Sequence, residues 1–122
     1  MPTPYNQDLT IAISTTTSGG AYVAELDLRS IKFPAAFTGA TISFTGGVVG
    51  GRSGNNAEPA TYTAITDSAG AAITVTVSVG KIVTLTEAQR DALRAAHWIK
   101  IVSASSEAAA RTVTLIGVSA YK

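Results

Sequence analysis

The sequence predicts an all-β fold, an antiparallel β-sandwich of jelly-roll type with about eight short strands and one short helix. Three observations carry that expectation. Apolar and polar residues alternate with a period of two in several short runs, as they do on strands with one buried face. Turn-forming residues separate those runs, and only Thr86 to Ala96 carries a helix start signal. The clearest unit is Asp67-Ser68-Ala69-Gly70, a turn in which Gly70 is free to adopt positive φ. Behind it Ile73, Val75, Val77 and Val79 fall on one face and Thr74, Thr76 and Ser78 on the other.

The remaining elements follow in order. Pro2 to Asp8 is polar and proline-marked, and is expected to be a loose N-terminal arm (residues 1–8) ahead of a single domain (residues 9–122). Leu9 to Ser14 alternates as a first strand and Tyr22 to Leu28 as a second. Ile31 to Phe33 is a short strand stopped by Pro34, which has no N–H to offer a central ladder. Thr41 to Thr45 places Ile42 and Phe44 on one face. Gly46 to Pro59 is rich in Gly, Asn and Ser, and long for a loop in a small domain. Thr61 to Thr66 and Ala72 to Val79 form the hairpin around the Asp67 turn, and Lys81 to Leu85 is a further strand. In the helix, Thr86 and Gln89 have the spacing of a capping box, with Ala88, Ala92 and Ala95 or Ala96 as a thin apolar stripe. His97 to Ser103 and Arg111 to Tyr121 return to strand, the latter with Val113, Leu115 and Gly117 on one face.

Composition narrows the function classes. Hydrophobic residues make up 46% of the 122, but aromatics only 7%, so the core is expected to be aliphatic. Charged residues are 14%, against about 25% in ordinary domains, which suits a surface partly covered by neighbours. The net charge of +1 with no basic cluster gives no reason to expect nucleic acid or an anionic membrane as partner. Absence of cysteine removes disulfides, thiolate metal sites and thiol chemistry. The first residues lack the basic and apolar regions of a secretory signal, so synthesis in a host cytoplasm is expected.

No chemical constellation reaches the standard of a site. Gly46-Gly47-Val48-Val49-Gly50-Gly51-Arg52-Ser53 has phosphate-loop spacing, but Arg52 stands in the lysine position and Gly54 to Pro59 cannot start the helix such a loop needs. His97 is the only histidine and has no ligands or nucleophile at useful spacing, so it reads as a polar residue at a helix C-terminus. Glu25 and Asp27 share a strand face, yet the aromatics that would line a sugar cleft are scattered, leaving a solvated pair. Trp98, in phase with Lys100 and Val102, is read as core or helix packing rather than as a sugar platform. The expectation is a non-enzyme with no cofactor and no metal.

From Leu28 onward the signals resemble a group of small tailed-phage virion proteins. The run Leu28-Arg29-Ser30-Ile31-Lys32-Phe33-Pro34-Ala35-Ala36-Phe37-Thr38-Gly39-Ala40-Thr41-Ile42-Ser43-Phe44 is similar to their strand, Pro-Ala-Ala turn and strand. Tyr62 to Thr66, the Asp67 turn and Ile73 to Val79 keep the same order. Trp98-Ile99-Lys100-Ile101-Val102-Ser103 and Ala109-Ala110-Arg111-Thr112-Val113-Thr114-Leu115 complete it, over about three-quarters of the chain. The departures are the Gly-rich insertion at Gly46 to Pro59 and the tail Ile116 to Lys122. The resemblance implies a decoration or cement protein on the outer capsid surface of a virion. Its partners would be the major capsid protein and further copies of itself, as a homodimer or homotrimer. Pro4 and Tyr5 in the arm and Arg52 in the long loop are the expected contact residues. The alternative is a receptor- or glycan-binding module of a tail fibre or baseplate, which requires exposed aromatics such as Trp98 or Tyr62.

Overall fold

The computed structural model describes residues 4–24, 26–48 and 57–119. Their strands are β1 (Pro4–Ile11), β2 (Ala21–Tyr22), β3 (Leu26–Lys32), β4 (Thr41–Gly47), β5 (Thr63–Ala64), β6 (Thr74–Thr76), β7 (Ile82–Thr84), β8 (Trp98–Ser103) and β9 (Arg111–Ser119). One helix, α1 (Glu87–Leu93), lies between β7 and β8. The strands form two antiparallel sheets, β1-β9-β3-β7 and β2-β8-β4-β5, with β6 also paired to β4. The pairing is nested: β4 with β5 and β6, β3 with β7, β2 with β8, β1 with β9. A long antiparallel hairpin is thus rolled into two layers, and the β3–β9 and β4–β8 ladders close the roll. This is the jelly-roll sandwich that the alternation predicts.

The core lies between the sheets and is mainly aliphatic. Leu9, Ile11, Leu28, Ile31, Val113 and Leu115 face inward from one sheet; Ile42, Phe44, Val75, Ile99 and Ile101 face them from the other. Val113, Leu115 and Gly117 do share the inner face, as their spacing predicts. The Asp67 turn also forms: the carboxylate accepts from the Ala69 and Ala71 amides, and Gly70 sits at φ 86°.

Several elements differ from expectation, each for a physical reason. The loose arm is not loose from Pro4 on, because Pro4 to Asp8 pair with Val118 to Thr114 of β9. Since β1 is an edge strand, the missing N–H of Pro4 costs nothing on the open side. The strand ends at Ile11 rather than Ser14, where Thr15 N–H bonds back to the Ala12 carbonyl in a turn. Tyr22 to Leu28 is two strands in different sheets, joined by a turn in which Leu26 N–H donates to the Val23 carbonyl. The hairpin arms β5 and β6 both pair with β4, at Thr45–Gly46 and at Thr41–Ser43, and so share one edge of it end to end.

Helix α1 is shorter than expected and is stopped at Arg94. The Thr86 hydroxyl accepts from Gln89 N–H at 3.2 Å, while the Gln89 side chain accepts from Thr86 N–H at 2.8 Å. Gln89 Nε2 also donates to the Thr74 carbonyl of β6 at 2.7 Å. Leu93 and Ala96 supply the buried face, whereas Ala88 and Ala95 of the expected stripe are exposed. A helix this short does not persist on propensity alone. Thr86→Ala is therefore expected to lower stability by about 1 kcal/mol, read as a lower urea midpoint at unchanged slope.

Candidate functional site

With the core filled by side chains, function falls to the two outer faces of the sandwich and to the junction that holds its loops. The outer face of the β2-β8-β4-β5 sheet is roofed by the chain itself. Its side chains include Tyr22, Trp98, Lys100 and Thr45, brought together by the pairs Tyr22–Trp98 and Thr45–Lys100. Residues 57–62 cross above them: Pro59 packs over Gly47, and the Tyr62 hydroxyl and Glu58 carboxylate lie over Gly20. Tyr62 donates to Glu58 at 2.7 Å; burial first and this carboxylate second push the phenol well above its ordinary pKa. Lys100 Nζ stands 4.3 Å from the centre of the Tyr62 ring, and the Trp98 ring meets Tyr22 edge-on at 5.7 Å. Trp98 is half-buried and lies outside the core, because its phase in β8 is opposite to that of buried Ile99 and Ile101. Trp98 Nε1 and Thr45 Oγ1 are buried without a hydrogen-bond partner among the described residues.

The outer face of the β1-β9-β3-β7 sheet has no such roof among the described residues. Asn6, Asp8 and Thr10 of β1 lie beside Ile116, Thr114 and Thr112 of β9, followed by Ser30 and Lys32 of β3 and Thr84 and Ile82 of β7. Thr114 donates to Asp8 at 2.7 Å, and the Thr10 and Thr112 hydroxyls are 3.1 Å apart. Asp27, on the same face, accepts from Arg29 Nε and from Arg94 of α1. Its burial raises the carboxyl pKa, but the two guanidiniums outweigh that and hold it below the ordinary value. Glu25, its expected companion, lies outside the described residues.

The expected contact residues are dispersed. Pro4 and Tyr5 are exposed at the start of β1, Tyr5 at 47%, where Tyr5, Tyr22, Leu26 and Ser119 border an open depression of about 120 Å³. Arg52 lies outside the described residues, as does most of the Gly-rich loop. Gly46 and Gly47 are not part of a loop but the last residues of β4. His97 sits half-buried between α1 and β8, its N–H on the Gly47 carbonyl and its own carbonyl accepting from Val23 N–H.

The sequence reading missed Glu107. Its side chain is fully buried and accepts from Thr38 N–H at 2.8 Å, Gly39 N–H at 3.1 Å, the Ser103 hydroxyl at 3.2 Å and Arg111 Nε at 3.1 Å. Its backbone bonds to Ser14 and Thr15, with Ser14 held at φ 64°. Three loops, after β1, β3 and β8, meet on this one residue. Burial drives the carboxyl pKa up, but the Thr38 amide, Arg111, the Gly39 amide and Ser103 together hold it below the ordinary value. Every oxygen contact is a donor of the protein itself, so the junction ties loops and presents nothing to a substrate. One signal was available: Glu107 is the only acidic residue after Asp91, with Arg111 four residues on.

Among the described residues no group of three or more His, Cys, Asp or Glu is placed to hold a metal ion. No helix among the described residues is long and apolar enough to cross a membrane. No family model matches the chain, and no curated protein or solved structure shows significant similarity to it.

Proposed function

We propose that the chain is a structural virion protein, a decoration or cement protein that binds the outer surface of a phage head and bridges capsid subunits. Its partners on this reading are the major capsid protein and further copies of itself, with no enzymatic role. The observation that carries it is the asymmetry of the two faces. Residues 57–62 cross part of one outer face, and the other is left uncovered among the described residues, a mixed face of Thr, Asn, Ser, Ile and Val with Asp8 and Lys32 among them. Such a face suits contact with protein, and modest contacts repeated over a symmetric lattice sum through multivalency. The order of motifs from Leu28 to Leu115 points the same way.

The test is the copy number of the protein in purified virions relative to the shell protein, followed by binding of purified protein to shells that lack it. Copies comparable to the shell protein support the reading, and absence from the particle overturns it. Removing residues 2–8 would not separate binding from folding, because Pro4 to Asp8 are paired in β1. Tyr5→Ala does separate them: it is expected to weaken shell binding roughly tenfold while leaving the melting temperature within a degree or two. A handful of copies per particle would instead favour the tail-module alternative, although Tyr22, Trp98 and Tyr62, the aromatics it would use, are each only partly exposed.

A further inference from the structure

The bare sheet face carries a charge pattern that is complementary to itself. In one row across the sheet, Asp8 of β1, Thr114 of β9 and Lys32 of β3 stand side by side, fixed by the Asp8–Thr114 and Lys32–Thr114 pairs. An acid and a base thus flank the central strand symmetrically, each about 5 Å from it. Asp8 is held by the Thr114 hydroxyl, and among the described residues neither Asp8 nor Lys32 takes part in an ion pair. Along β9 the next outward residues on one side are Ile116 and Val118, both half-buried within the chain itself.

We infer that this face binds a second copy of the chain, in a two-fold dimer whose axis runs along β9. Such an axis keeps each row in place and exchanges β1 with β3. Asp8 then lies over Lys32 of the second copy and Lys32 over its Asp8, while Thr114, Ile116 and Val118 meet their own images on the axis. A two-fold interface must be self-complementary in this way. Packed sheets stand about 10 Å apart with strands within about 30° of each other, a gap that an aspartate and a lysine span from opposite sides. On the opposite sheet, residues 58–62 cross the end of the outer face that holds Gly47, Gly20 and Lys100 and would obstruct such a contact there. The contact is three strands wide, roughly 15 Å by 20 Å, or about 600 Å² over both copies, which makes it a weak, exchangeable interface below the size of a stable dimer contact. The inference deepens the self-association in the reading above by naming the surface.

Sedimentation equilibrium on the isolated chain tests it without any capsid, so failure here and failure of the virion reading are separate results. The wild type is expected to be a dimer that weakens with salt. Asp8→Lys and Lys32→Asp alone put like charges opposite each other and are each expected to raise the dissociation constant roughly tenfold or more. The double reversal, D8K with K32D, is expected to restore it to within about threefold of the wild type, because the pairs re-form with the signs exchanged. Circular dichroism confirms that each variant is folded. A wild type that stays monomeric to about 0.5 mM, single reversals without effect, or a double reversal that fails to restore the dimer each overturns the inference.

Discussion

Glu107→Ala is expected to be the most damaging polar substitution in the chain, lowering stability by roughly 3 kcal/mol or more. The reason is what it leaves behind. Two amide N–H groups, a serine hydroxyl and a guanidinium aim at one buried carboxylate, and alanine strands the Gly39 amide and the Ser103 hydroxyl in buried positions and the Thr38 amide and Arg111 in partly buried ones. Against a domain stability of about 5–15 kcal/mol this is a large fraction, and for a chain of this size it corresponds to a melting temperature about 10 °C lower. The pH dependence gives an independent signature. Because the folded-state pKa of Glu107 is depressed, its stabilisation is fully present above the unfolded-state value and is lost as pH falls through the folded-state value. Wild-type stability is thus expected to fall below about pH 5, with Asp27 adding in the same direction. The variant should start lower and lose less on acidification. Urea unfolding at a series of pH values reads both effects; equal acid slopes in the two proteins would show that the junction does not carry the carboxylate's charge.

That residue also marks the limit of what the sequence discloses. Strands with one buried face were legible because alternation is local, and the capping box because Thr86 and Gln89 are three residues apart. Glu107 is held by Thr38 and Gly39, almost seventy positions away, and only the fold brings them together. Ser-Ser-Glu-Ala-Ala reads on its own as a solvated loop. The strand at Pro4 was missed for a related reason: polar residues on the outer side of an edge strand alternate against other polar residues, so no apolar rhythm announces them. Tyr22 to Leu28 misled in the opposite way. The chain leaves one sheet after Tyr22, which faces outward there, and joins the other at Leu26, where Leu28 faces inward, so the alternation does not mark a single strand face. Of the candidate contacts, Pro4 and Tyr5 are exposed and Arg52 lies outside the described residues, while the placement of Asp8 and Lys32 on either side of Thr114 depends on register, which no local pattern contains.

Gly117→Ala is expected to lower stability by roughly 3 kcal/mol, the upper end of the usual cost of overpacking. Gly117 lies in the middle of the β1-β9-β3 ladder, opposite Tyr5 on one side and Leu28 on the other, where the β3 register slips past Arg29. A Cβ there would stand 2.4 Å from the Asp27 carbonyl oxygen and 3.1 Å from Leu28 Cα. These are backbone atoms of a paired strand, so no rotamer change relieves the clash and the two strands must part. Parting them also disturbs the carboxylate of Asp27, which ties β3 to α1 through Arg94. Gly19→Ala is the control, since among the described residues nothing lies within 4 Å of a Cβ at that position, and it is expected to stay within about 0.5 kcal/mol of the wild type. Thermal unfolding of the pair decides the matter, and equal melting temperatures would show that the close approach at Gly117 is not a constraint. The neighbours Ile116 and Val118 point to the opposite side of the same strand, onto the face proposed for self-association. A Gly117→Ala protein that still folds is therefore expected to dimerise less well, because the strand on which the two-fold axis rests can no longer lie flat against β3.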